Sequence, residues 1–146
     1  MELQFRRTIK AELPLLEKWH STISVRKWIY IDDWTEYWNT VSALSEYYLY
    51  SVYEEERMVA WISAEIINAT VAVCIIVDPL KQHRGIGTAV VRKMLSNSQV
   101  LFGAGIRSFH AAIYEGNTAS RRLFEKCGFQ CQNISKDGER SYCFIL

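Results

Sequence analysis

"VDPLKQHRGIGTAV", Val77 to Val90, is the stretch on which the fold turns. An apolar run stops at Pro79, which has no N–H to donate to a sheet ladder. Gly85 and Gly87 follow in G-x-G spacing. Val90, Val91, Met94 and Leu95 then recur at helical spacing, with Arg92 and Lys93 on the other side. The order is therefore strand, bare loop, helix. Glycines let the chain turn tightly and remove the Cβ atoms that would block close approach. At the helix start, orphan N–H groups and the positive end of the helix dipole favour a phosphate. His83 and Arg84 flank the site, and Arg84 is placed to add charge. Two better-known phosphate loops are excluded. The chain has no G-x-x-x-x-G-K-[ST], and the third glycine of a dinucleotide fingerprint is replaced by Val90.

Outward from the loop, "TVAVCIIV" (Thr70–Val77) is almost continuously apolar and reads as a central strand covered on both faces. "RMVAWISAEII" before it alternates, with Met58, Ala60, Ile62, Ala64 and Ile66 expected on one face, and Asn68-Ala69 makes the turn between the two. "YYLYSVY" (Tyr47–Tyr53) is β-prone and ends at the acidic turn Glu54–Glu56. "LQFRRT" (Leu3–Thr8) is a first strand. A helix over about Glu12–His20 follows it, with Leu13, Leu16 and His20 along one side. "DDWTEYWNTVSAL" is a second, amphipathic helix with Asp32 or Asp33 as N-cap. Beyond the loop, Ile106–Ile113 is a strand, Asn117 caps a helix that ends at Gly128, and two hairpin-paired strands with Asp137-Gly138 between them close the chain. The expected order is β-α-α-β-β-β-α-β-α-β-β: an α/β fold with helices on both faces of one mixed sheet, in a single domain over residues 1–146.

Composition narrows the function classes. Hydrophobic residues make up 49% and charged residues 23%, which suits a soluble globular chain. A net charge of +1 gives no support to bulk binding of nucleic acid or a membrane surface. The start, "MELQFRRTIKAEL", lacks the apolar core of a signal peptide, so a cytoplasmic location is expected. The four cysteines form no C-x-x-C pair and the three histidines are scattered, so no metal site is expected.

The pattern Gln82-x-x-Gly85-x-Gly87 after Val77-Asp78-Pro79 resembles the GCN5-related N-acetyltransferase superfamily. "IYEGNTASRRLFEKCGF" (Ile113–Phe129) looks like the next segment of that family, an Asn and a helix ending L-Y-x-x-x-G-F. The resemblance implies acetyl-CoA as cosubstrate and acetyl transfer to a primary amine of a small molecule, directly in a ternary complex. It implies main-chain contacts to pantetheine from Ile75, Ile76 and Val77, and amides for the pyrophosphate from Gln82, His83, Arg84, Gly85, Ile86, Gly87 and Thr88. Asn117 and Ser120 would lie along the cofactor, and Phe124 takes the place of the tyrosine that often acts as general acid. That departure leaves a non-catalytic acyl-CoA-binding or sensing module open as an alternative. Acetylation of a protein N-terminus or lysine is another.

An ammonium has no lone pair, and a lysine-like amine with a pKa near ~10.4 therefore benefits from a base at neutral pH. Glu65, opposite in parity to Ala64 and Ile66, is the candidate base, and a solvated strand-face carboxylate is its plain alternative. Tyr114 is a candidate acid or simply a β-prone aromatic. The early segment "RKWIYIDDWTEYW" offers Trp28, Tyr30 and Trp34 as pocket walls and Asp32 and Asp33 to attract a cation, although aromatic stripes also serve as core. Monomer and homodimer are both compatible with the chain.

Overall fold

In the computed structural model, which describes residues 1–146, the decisive stretch is strand, loop and helix as expected. The β-strands are β1 (Leu3–Arg7), β2 (Tyr47–Glu54), β3 (Arg57–Ile67), β4 (Thr70–Val77), β5 (Ser108–Tyr114), β6 (Gln130–Ile134) and β7 (Glu139–Ile145). The helices are α1 (Leu13–His20), α2 (Ile23–Arg26), α3 (Trp34–Val41), α4 (Ile86–Ser96), α5 (Ser98–Phe102) and α6 (Thr118–Lys126). The strands form one seven-stranded sheet in the order β1-β2-β3-β4-β5-β7-β6. Only β4 and β5 run parallel.

Each face of the sheet has its own core. Alternation along β4 sends Val71 and Val73 to one side, where they pack with Val90, Val91 and Met94 of α4, Phe102 of α5 and Phe124 of α6. Ile76 goes to the other, against Leu13, Leu16 and Trp19 of α1, Val25 of α2 and Trp34 and Val41 of α3. Both faces of β4 are therefore covered, which is why its sequence is so uniformly apolar. The α1–α3 layer covers β2, β3 and β4, and its core includes no residue of β5, β6 or β7.

Three expectations are corrected. Met58 does not share a face with Ala60, because a bulge lets Val52 pair with Ala60 and Tyr53 with Met58. The extra residue, Val59, turns Met58 over to the α1–α3 side. On α1 the buried stripe is Leu13, Leu16 and Trp19, while His20 is half-buried and meets the carbonyl of Ile29 through Nε2 at 2.7 Å. Helices α2 and α5 were not expected. Each has five residues or fewer, too short for an apolar period to show. The β3–β4 turn lies at Asn68-Ala69 as expected, with both residues left-handed at φ 48° and 66°.

Candidate acyl-CoA site

Strands β4 and β5 pair only from Thr70–Ala72 to Ser108–His110. Beyond that point they part. β4 stays paired with β3 as far as Val77 and β5 with β7 as far as Tyr114, so the strands diverge as two intact half-sheets. The facing edges, Val73–Val77 and Ala111–Tyr114, are left without a strand partner. A row of free main-chain donors and acceptors of this kind accepts an extended ligand much as it would accept another strand. Of the expected contacts, Ile75 and Val77 turn their N–H and C=O groups to this open edge. Ile76 does not: in the same parity as Asp78, whose N–H donates to the carbonyl of Val59, its main chain faces β3, and its side chain is buried in the α1–α3 core.

At the end of the open edge stands the loop. Asp78 caps the turn Pro79–Lys81 by accepting from the N–H of Leu80 at 3.0 Å. His83 (φ 65°) and Gly85 (φ 81°) are both left-handed, which alternates the backbone's hand and folds successive N–H groups toward one concavity. None of the N–H groups from Gln82 to Thr88 has a partner within the chain. α4 begins at Ile86 with Gly85 as N-cap, so the dipole of an eleven-residue helix points its positive end into the same space. A Cβ on Gly85 would meet nothing within 4 Å, so the cradle is open there. A Cβ on Gly87 would approach Leu123 Cδ2 to 3.0 Å and Val77 Cγ2 to 3.6 Å, so Gly87 lets α4 lie close to α6 and β4. Unpartnered amides at a helix start suit a pyrophosphate, and the open β4 edge suits the amides of pantetheine.

α6 completes that side. Asn117 is its N-cap, accepting from the N–H of Ser120 at 3.3 Å. Capping thus uses one oxygen of Asn117 and leaves its amide nitrogen unbonded within the chain. Phe124 is 4% exposed, with its ring edge-on to Phe129 at a centroid distance of 4.9 Å. It is a core residue, and any influence on the cofactor passes through packing.

On the α1–α3 side of the divergence, one cross-strand row holds Tyr47, Glu65, Ala72 and His110. This is the last row before the strands part, and it places the candidate base Glu65 at the apex. Next to it, the hydroxyls of Tyr37 on α3 and Ser63 on β3 are 2.7 Å apart. Burial is the main cause that pushes Tyr37 up to about 12, opposed by its bond to Ser63 and helped by Cys74, Tyr47 and Glu65. Tyr47 is raised by burial first and then by Glu65. Burial also pushes the Cys74 thiol up to about 11. Tyr37 and Ser63 carried no signal in the sequence, because their pairing depends on how α3 lies across β3.

Tyr114 ends β5 on the same face as His110, two alternations further on and so ~13 Å along the strand. Glu65 and Tyr114 therefore stand at opposite ends of the divergence and do not meet. Of the early aromatic segment, Ile29 and Ile31 anchor into the α1–α3 core. Trp28 reaches across to Gly116 in the β5–α6 connection. Tyr30 is 83% exposed and is raised by a hydrogen bond from its hydroxyl to the Asp32 carboxylate, while Asp33 caps α3 by accepting from the N–H of Glu36 at 3.0 Å. The structure thus separates the five expected acceptor residues. Trp28 lies against Gly116, Trp34 is buried in the α1–α3 core and walls no pocket, Asp33 caps α3, and Tyr30 and Asp32 form a pair at the surface. No group of three or more His, Cys, Asp or Glu side chains stands together as a metal cluster. No helix is long and apolar enough to cross a membrane.

No curated protein matches the chain. Solved structures do. A domain from Methanocaldococcus jannaschii DSM 2661 superposes with a TM-score of 0.82 at 22% identity over 99% of both chains. Spermidine N-acetyltransferase of Vibrio cholerae, solved with CoA and spermine, gives 0.79 at 14% identity over 98% of this chain and 95% of its own. The aminoglycoside acetyltransferase AAC(6')-Ib with coenzyme A and kanamycin gives 0.81 at 14% identity over 99% and 95%. The model of the Acetyltransferase (GNAT) family matches residues 13–129. With the diverging strands, the amide-rich loop and this match over most of its length, the chain belongs to the GNAT acetyltransferases and is an acyltransferase.

Proposed function

We propose that this enzyme transfers the acetyl group of acetyl-CoA to the primary amine of a small cationic molecule, directly between two bound substrates. The observation that carries the reading is the run of unpartnered N–H groups from Gln82 to Thr88 at the end of an open strand edge. Acetyl-CoA supplies an activated thioester. The amine nitrogen bonds to the acetyl carbon, the carbon–sulfur bond breaks, and the amine proton must leave. Glu65 receives that proton, directly or through a water, from its place at the apex of the divergence. With Phe124 in the core, no side chain of α6 replaces the usual tyrosine acid. A thiolate with a pKa near ~8.5 is a good enough leaving group to depart without full protonation.

Two solved relatives in fold bear the names of small-amine acetyltransferases, one solved with spermine and one with kanamycin. Trp28, leaning across the mouth, favours a small acceptor over an extended peptide laid through it. The test is acetyl-CoA turnover, followed as free thiol, over polyamines, aminoglycosides, amino acids and short peptides, with calorimetric titration of acetyl-CoA alongside. Thiol release with a small-amine class is expected. Tight binding without release for every acceptor would support the sensing module that Phe124 suggests. Absence of binding would remove the reading of the loop.

A further inference from the structure

The two lips of the acceptor mouth meet where Trp28 lies against Gly116. One lip is the connection between α2 and α3. There the N–H groups of Trp28 and Ile29 both donate to the carbonyl of Val25 at 3.1 Å, and His20 Nε2 holds the carbonyl of Ile29. The other lip is the connection from β5 to α6. Its Glu115 N–H donates to the carbonyl of Gly138 at 2.8 Å, and Arg121 donates to the carbonyl of Glu115 at 2.7 Å. The Glu115 carboxylate also pairs with Arg140 at 2.9 Å. Both lips are therefore tied to the body of the protein. Between them, the indole of Trp28 lies so close to Gly116 that a Cβ there would come within 3.1 Å of Cη2 and 3.8 Å of Cζ3.

Gly116 has no left-handed φ to require glycine, so its lack of a side chain is explained by the indole against it. The contact sits two residues beyond the end of β5, at the wide end of the divergence. It is also on the side from which an acceptor must come, because α4 and α6 fill the other face. The Lys27 ammonium lies 4.9 Å from the indole centroid, on the face of the same ring.

We propose that Trp28 and Gly116 together set the width of the acceptor mouth, so that unbranched, chain-like primary amines reach the acetyl group and ring-bearing, bulky amines are held off. This rests on the acetyl-transfer reading and specifies its substrate class. Gly116 is a specificity residue only because it allows the indole to close; any larger residue would pry the lips apart.

The experiment compares kcat/KM for spermidine, a linear triamine with two primary amine ends, and kanamycin, a bulky ring-bearing amine, in the native enzyme, Trp28→Ala and Gly116→Ala. Acetyl-CoA titration and circular dichroism check each protein. The native enzyme should favour spermidine. Trp28→Ala should shift the spermidine-to-kanamycin ratio toward kanamycin by about tenfold, the discrimination expected of one steric contact of this kind. Gly116→Ala should shift it in the same direction by less. Should Trp28→Ala fail to fold, Trp28→Leu replaces it, and Gly116→Ala decides independently. An unchanged ratio in folded variants that still bind acetyl-CoA and transfer acetyl overturns the closure and leaves the acetyl-transfer reading intact. A native preference for kanamycin overturns the closure too. A native enzyme that binds acetyl-CoA but acetylates neither amine nor any other on the panel overturns both.

Discussion

Glu65 stands among groups that hold their protons. Tyr37, pushed up to about 12, and Cys74, pushed up to about 11, stay neutral through the range where an amine is usually assayed. Burial is the main cause for both, so neither offers a base near neutral pH. In the proposed reaction the carboxylate of Glu65 is the group of this row that takes up the amine proton. Replacing it with Gln keeps size and hydrogen bonding while removing that capacity. In Glu65→Gln, kcat/KM should fall at least ~100-fold at neutral pH. The defect should shrink as pH rises toward the amine's own pKa of ~10.4, because the substrate then arrives already deprotonated. The sign matters here: a base is needed below that pKa and becomes redundant above it. A full pH–rate profile of both proteins is the measurement. A defect of constant size across the profile would make Glu65 a positioning residue. His110→Gln, in the same cross-strand row, serves as the control and should leave the profile's shape unchanged.

Among the elements, β4 and the loop after it were the most legible in the sequence, for a physical reason. A strand covered on both faces must be apolar throughout, and a loop that offers its amides must lose its side chains, so Thr70–Gly87 carries both marks in composition alone. Met58 was misplaced because a bulge is a property of two strands paired, and β3 by itself alternates without a break. Asn117 was legible as a cap, since capping is local. The contact of Trp28 with Gly116 was not, because it joins two connections that only the finished sheet brings together. The loop's reading yields a sharp expectation for Gly87→Val. Its backbone is ordinary and the nearest obstacle is the flexible end of Leu123, so the protein should fold. The added side chain is directed at Leu123 and Val77, so making room for it shifts the start of α4, where the amides converge. Acetyl-CoA affinity should drop at least ~10-fold by calorimetry, the loss of ~1.4 kcal/mol that a single disturbed anion contact can produce. Native affinity in a folded Gly87→Val would show that the phosphates lie elsewhere.

The whole molecule is two half-sheets, β1–β4 and β5–β7, hinged on one short parallel ladder from Thr70–Ala72 to Ser108–His110. Packing of α4 against α6 joins the halves on one face, with Leu123 set against Gly87 and Val77. On the other face α1–α3 stop at β4, and the Trp28–Gly116 contact bridges the remaining gap at its wide end. A ligand that bonds to the open edge of β4 and to the α4 amides would therefore supply main-chain partners where the fold leaves them free. Acetyl-CoA at a hundredfold excess over its Kd should stabilise the protein by ~2.7 kcal/mol. The gain should also be local. In hydrogen exchange, amides of Val73–Val77 that face the divergence, and those of His83–Thr88, should slow on binding, while β1 and β2 keep their rates apart from the global shift. In Gly87→Val at the same ligand concentration the gain should be at least ~1.3 kcal/mol smaller, and both segments should slow by correspondingly less. Slowing spread evenly over the sheet, with none concentrated on β4 and its loop, would mean that the ligand binds away from the divergence, and the assignment of the strand edge would fall with it.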